Sequence, residues 1–63
     1  MNISFDQFLV MWNKRCIRAF GLGYEDLPDI LCIDDHWYDG MTQQEAKSAL
    51  DDMEEELRQE FEN

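Results

Sequence analysis

Thr42-Gln43-Gln44-Glu45-Ala46-Lys47-Ser48-Ala49-Leu50-Asp51-Asp52-Met53-Glu54-Glu55-Glu56-Leu57-Arg58-Gln59-Glu60-Phe61 is the stretch whose reading decides the fold. Ala46, Ala49, Leu50, Met53, Leu57 and Phe61 recur at steps of three and four, the spacing that lines up one face of an α-helix. Thr42 and Glu45 stand three apart ahead of this run, the arrangement of a capping box, in which each side chain satisfies the other's orphan backbone donor. The spacing predicts a helix from about Gln43 to Phe61. Its opposite face carries Asp51, Asp52, Glu54, Glu55, Glu56, Glu60 and Glu62.

The same logic applies at the other end of the chain. Ser4 and Gln7 form a Ser-x-x-Gln capping box. Phe5, Phe8, Leu9, Trp12, Cys16, Ala19 and Phe20 then define one helix face, and Gly21 and Gly23 supply the stop. A helix over roughly Phe5–Phe20 is expected. Val10, Met11 and Ile17 fall off that face. They fit either a helix wrapped by neighbours on two sides or a surface for self-association.

The middle is less regular. Asp26-Leu27-Pro28-Asp29 reads as a helix start, with Pro28 in the first turn, where its missing N–H costs nothing. Leu27, Ile30, Leu31, Ile33, Trp37 and Tyr38 make a short buried helix, and Asp39-Gly40 reads as a turn. Strand is least excluded around Ile30–Ile33. The expectation is an all-α fold, a three-helix mini-bundle forming a single helical domain over residues 1–63, with a dimer as the open alternative.

At 63 residues the chain permits one domain of marginal stability. An apolar fraction of 44% and eight aromatic side chains suffice for a core, which excludes disorder along the whole chain. Two cysteines, Cys16 and Cys32, are too few for a disulfide scaffold. Neither a signal peptide nor a membrane span is visible. A cytoplasmic protein with reduced thiols is expected.

Charge is the most unusual property: 15 acids against 5 bases, net −10. It is unevenly spread. Residues 1–23 carry Lys14, Arg15 and Arg18 against Asp6 alone, whereas beyond them Lys47 and Arg58 stand among 14 acids. This sign argues against direct contact with nucleic acid or anionic membrane and favours a basic partner surface.

Candidate chemistry is thin. Asp34 and Asp35 adjoin His36, with Asp39 close behind. Placing Gly40 at position 6 of an EF-hand loop leaves Trp37 at position 3 and Ala46 at position 12, where ligands are required. Cys32 and His36 are four apart, but with Cys16 they match no structural zinc spacing. No phosphate loop, hydrolase order or metalloprotease motif is present. Neither an enzyme nor a cofactor or metal protein is expected.

Function therefore rests on the acids. Asp51 with Glu55, Asp52 with Glu56, and Glu56 with Glu60 are like-charge pairs four apart, each destabilising a helix by about 0.2–0.5 kcal/mol. Four residues of helix rise about 6 Å, and backbone phosphates are separated by a similar few ångströms, about 3.4 Å of axial rise plus the winding. Solvated helix faces usually carry mixed signs, so an almost all-acid face points to a partner. The expected acidic site comprises Asp34, Asp35, Asp39, Asp51, Asp52, Glu55 and Glu56. Trp37 and Tyr38 are interface anchors or core plugs, one expected in the core and the other partly exposed.

The words Gly21-Leu22-Gly23-Tyr24-Glu25-Asp26-Leu27-Pro28-Asp29 and Asp39-Gly40-Met41-Thr42 resemble those of small acidic proteins encoded by bacteriophages and other mobile elements. The resemblance spans about half the chain and assigns no active residue. It implies an inhibitor or regulator of a host nucleic-acid-binding protein, in defence or transcription, acting through a nucleic-acid-mimicking surface. The alternative is a self-associating accessory protein of a larger assembly, with the first helix as its interface.

Overall fold

The computed structural model describes residues 2–27 and 31–62, and among these the fold is an all-α mini-bundle. Helix α1 spans Phe5–Phe20, α2 spans Ile33–His36 and α3 spans Gln43–Glu62. A 3-10 turn at Tyr24–Asp26 lies between α1 and α2.

Both long helices start where their side chains can satisfy free backbone donors. Ser4 Oγ accepts from the Gln7 N–H at 3.1 Å while Gln7 Oε1 accepts from the Ser4 N–H at 2.8 Å. Thr42 Oγ1 accepts from the Glu45 N–H at 3.2 Å and Glu45 Oε1 accepts from the Thr42 N–H at 2.9 Å. Helix α1 ends on Gly21, which takes the left-handed conformation (φ 78°) and donates its N–H to the Ile17 carbonyl at 2.9 Å. That φ strains any side-chain-bearing residue. Two residues on, Gly23 lies against Asn13, whose Oδ1 accepts the Tyr24 N–H at 3.1 Å. A Cβ on Gly23 would stand 2.8 Å from that oxygen.

The long helices run side by side in the same direction. At their N-terminal ends the Ile3 N–H donates to the Met41 carbonyl at 2.9 Å and Asn2 bridges Thr42. At their C-terminal ends the rings of Phe20 and Phe61 meet edge to face, 5.6 Å between centroids. Residues 21–42 must therefore travel back along the bundle before α3 begins. The result is elongated, 36 × 17 × 17 Å.

The core lies between the two helices. Phe8, Trp12 and Cys16 of α1 meet Ala46, Leu50, Met53 and Leu57 of α3, with Leu27 and Met41 from the crossover completing the set. Every buried position of the long helices belongs to the apolar stripe read from the sequence. Burial of this set is the main stabilising term.

The crossover differs from the sequence expectation. Among the described residues, the buried helix foreseen from Leu27 to Tyr38 is reduced to one turn, Ile33–His36, with no fully buried residue. Leu27 and Trp37 both have extended backbones (φ −91°, ψ 157° and φ −102°, ψ 148°). Leu31 forms a bend rather than a strand. The foreseen helix start at Pro28 and Asp29, together with Ile30, lies outside the described residues. The physical reason is local weakness. Cys32 makes no side-chain capping bond, and a single turn has no independent stability. Tertiary contacts set its shape instead. Trp37 packs edge to face on Phe5 at 5.6 Å and donates Nε1–H to the Ile3 carbonyl at 3.3 Å. Asp39-Gly40 turns as expected, with Gly40 at φ 91°.

Candidate protein-binding surface

The acids of α3 divide into two groups. Asp51 and Glu54 face α1. Arg15 of α1 reaches across to both, its Nη1 lying 2.6 Å from Asp51 Oδ1 and 3.2 Å from Glu54 Oε1. Arg58 joins Glu54 from one turn further on, at 2.8 Å, and its guanidinium also lies over the Phe20 ring, 5.7 Å from the centroid. The hydrogen bond to Asp51 is the main cause that raises the Arg15 pKa, against the effect of burial. Glu54 is held below the usual carboxylate range, first by its hydrogen bond to Arg58 and then by Arg15. These two acids are structural: they tie α3 to α1.

Asp52, Glu55 and Glu56 form the second group. All three are exposed and point away from α1, and among the described residues none pairs with a lysine or arginine. Glu45, Asp52, Glu56 and Glu60 lie on one stripe, at steps of seven, four and four. Asp51, foreseen with Asp52, Glu55 and Glu56 as a partner-binding acid, is exposed at its outer edge but committed to Arg15.

Tyr38 ties the crossover to the head of this stripe. Its hydroxyl donates to Glu45 Oε2. The phenol pKa is raised by that bond, and the Glu45 pKa is lowered by Tyr38 first and by the Thr42 backbone and hydroxyl next. Asp34, Asp35 and Asp39 are exposed on the crossover. The first two lie in the opening turn of α2, where carboxylates are favoured. Tyr38 is thus the joint between the crossover and the N-terminal end of the α3 stripe. Of the two aromatics, Trp37 is the half-buried one and Tyr38, 47% accessible, the exposed one.

Sequence reasoning missed one member of this surface and a basic groove beside it. Glu45 was legible as a cap but not as the anchor for Tyr38, because seven residues across a turn leave no periodic signal. Lys14, Arg15, Arg18 and Lys47 collect around one shallow groove between α1 and α3, floored by Met11 and Leu50. Their neighbourhood arises only when the helices meet.

The other candidates fall apart in space. Cys16 is buried in the core, where loss of water pushes its thiol up to about 11, with the charge of Glu54 adding to the effect. Cys32 is free and exposed on the crossover. Among the described residues no three His, Cys, Asp or Glu side chains converge on a common point. No described helix is long and apolar enough to cross a membrane. On α1, Val10 and Ile17 are exposed, whereas Met11, grouped with them in the sequence, packs on the margin of the core. Compared with protein-family models, with curated proteins and with solved structures, the chain matches none.

Proposed function

We propose that this protein is a binding module that presents the outer face of α3 to a basic protein surface, in the manner of a phage-type inhibitor or regulator of a nucleic-acid-binding protein in the cytoplasm of its host. The observation that carries this reading is the division of the α3 acids. Asp51 and Glu54 are matched by Arg15 and Arg58, while Asp52, Glu55 and Glu56 stand exposed and unmatched. A helix that retains like-charge pairs four residues apart loses stability by them. A partner that supplies the missing cations recovers that loss.

The mechanism is competition. Carboxylates about 6 Å apart along the helix occupy the basic groove that would otherwise hold phosphates. Asp34, Asp35 and Asp39 extend the charge beyond the helix start, and Tyr38 offers an exposed ring beside it. Electrostatic steering raises the association rate, and the rate falls with salt as the Debye length shortens.

The test uses cellular proteins retained on heparin, presented to immobilised wild-type protein and to the D52K/E55K/E56K variant. The wild type is expected to retain a basic protein that duplex DNA displaces, and the variant to lose it. If the variant retains the same protein, or DNA fails to displace it, the acidic face is not the binding surface.

A further inference from the structure

Four of the five basic side chains of this chain, Lys14, Arg15, Arg18 and Lys47, line the groove where α1 and α3 meet. The carboxylates beside it are already engaged. Arg15 holds Asp51 at 2.6 Å and Glu54 at 3.2 Å, and Arg58 holds Glu54 at 2.8 Å. Asp51 stands one turn on from Lys47 but is bonded to Arg15. Lys14 is shared with the next groove, where it borders Asp6, Glu25 and Asp26. What remains is Arg18 on the α1 rim and Lys47 on the α3 rim. Both are exposed, and among the described residues neither forms an ion pair. Between them the floor is apolar, made by Met11 and Leu50.

We propose that this groove docks a short acidic segment of another protein, with carboxylates on Arg18 and Lys47 and an apolar side chain on Met11. Charge complementarity chooses the occupant. An exposed ion pair contributes little by itself, so a small free anion gains little from two cations on separate rims. A segment with several carboxylates engages both rims at once and covers the apolar floor. A nucleic-acid strand carries a phosphate at every step and runs on past the groove, into Asp6, Glu25, Asp26 and the exposed edge of Asp51. A second copy of this chain brings its own net charge of −10 with it. An acidic segment no longer than the groove avoids both penalties.

The groove is separate from the unmatched acids of α3. At 3.6 residues per turn, Asp52 and Glu56 lie about 140° and 180° around the helix from Lys47. The protein therefore offers surfaces of opposite sign on two flanks of one helix, and the occupant of the groove is distinct from the basic surface proposed for the outer face.

The test is fluorescence anisotropy at low salt with a labelled peptide of alternating glutamate and leucine, and with the same peptide carrying glutamine in place of glutamate. Three proteins are compared: wild type, R18Q/K47Q and S48E/Q59E. The two variants change the net charge equally, one in the groove and the other on the exposed outer face of α3, and circular dichroism checks each fold. The wild type is expected to bind the glutamate peptide saturably and the glutamine peptide much more weakly. R18Q/K47Q should lose at least roughly threefold in affinity, while S48E/Q59E stays near the wild type. Several outcomes overturn the proposal: no binding up to about millimolar peptide, equal losses in the two variants, no loss in R18Q/K47Q, or equal binding of the two peptides. A single-stranded oligonucleotide that binds more tightly than the peptide also overturns it, in favour of nucleic acid. So does self-association of the wild type in sedimentation equilibrium that R18Q/K47Q abolishes, in favour of a second copy. None of these variants alters Asp52, Glu55 or Glu56, so the proposed partner face is tested separately.

Discussion

The two long helices bury similar stripes and expose very different ones. Helix α1 sends Phe8, Trp12 and Cys16 inward and leaves Val10, Ile17, Asp6 and Lys14 outside. Helix α3 sends Ala46, Leu50, Met53 and Leu57 inward and leaves carboxylates outside. The inner faces are interchangeable in kind, because burial rewards any well-packed apolar set. The outer faces are under no such demand. A strongly one-sided outer face therefore says more about contacts with other molecules than the core does.

The largest expected effect removes what the two helices share. Phe8 is fully buried among residues of both, so Phe8→Ala should cost about 3–5 kcal/mol. Against a total of roughly 3–9 kcal/mol for a chain of this size, this removes at least about a third of the stability, and the urea midpoint at 25 °C should fall in proportion. A loss under about 1 kcal/mol would mean that the helices hold together by something other than this core.

Breaking the polar tie is expected to do less. Arg15→Met removes the bond to Asp51 and leaves the half-buried Glu54 with Arg58 alone, for a loss of about 1–2 kcal/mol at neutral pH. The pH dependence follows from the direction of the shift. The Glu54 pKa is lowered in the folded state, so its contribution is present above the ordinary carboxylate range and disappears as pH falls through the lowered value. Glu45 behaves in the same way. The wild-type melting temperature should fall below about pH 4.5, and the fall should be shallower in Arg15→Met. Parallel curves for the two proteins would show that Arg15 does not set the Glu54 titration.

The smallest expected effect lies on the outer face of α3. In D52K/E55K/E56K, two of the three like-charge pairs become opposite-charge pairs, so stability should hold or rise by a few tenths of a kcal/mol. Thermal melts at low and high salt check this. Unfolding of the triple variant would assign these acids to the fold and remove the contrast between the two helices.

Legibility in the sequence follows the range of the forces involved. Helices α1 and α3 were readable almost to the residue, because capping boxes at Ser4–Gln7 and Thr42–Glu45 and a stop at Gly21 are local chemistry. The crossover was not, because Trp37 is held by Phe5 and Ile3, and Tyr38 by Glu45, rather than by their chain neighbours. The acidic face was readable as a face. Its division was not: the loss of Asp51 to Arg15 spans 36 residues. The parallel course of the long helices was equally hidden, since a crossover of this length can return the chain in either direction.

That parallel course has a consequence for how quickly the molecule forms. A helical hairpin closes through contacts near its turn and then zips. Here the stabilising contacts join distant parts of the chain: Trp37 with Ile3 across 34 residues and Arg15 with Glu54 across 39. The whole crossover must be gathered before either is made, so the entropy of closing a long loop precedes most of the stabilisation. Stopped-flow refolding should place this all-helical domain nearer the millisecond range of mixed α/β domains than the microsecond range of simple bundles. The chain has helical secondary structure but the search problem of a sheet protein.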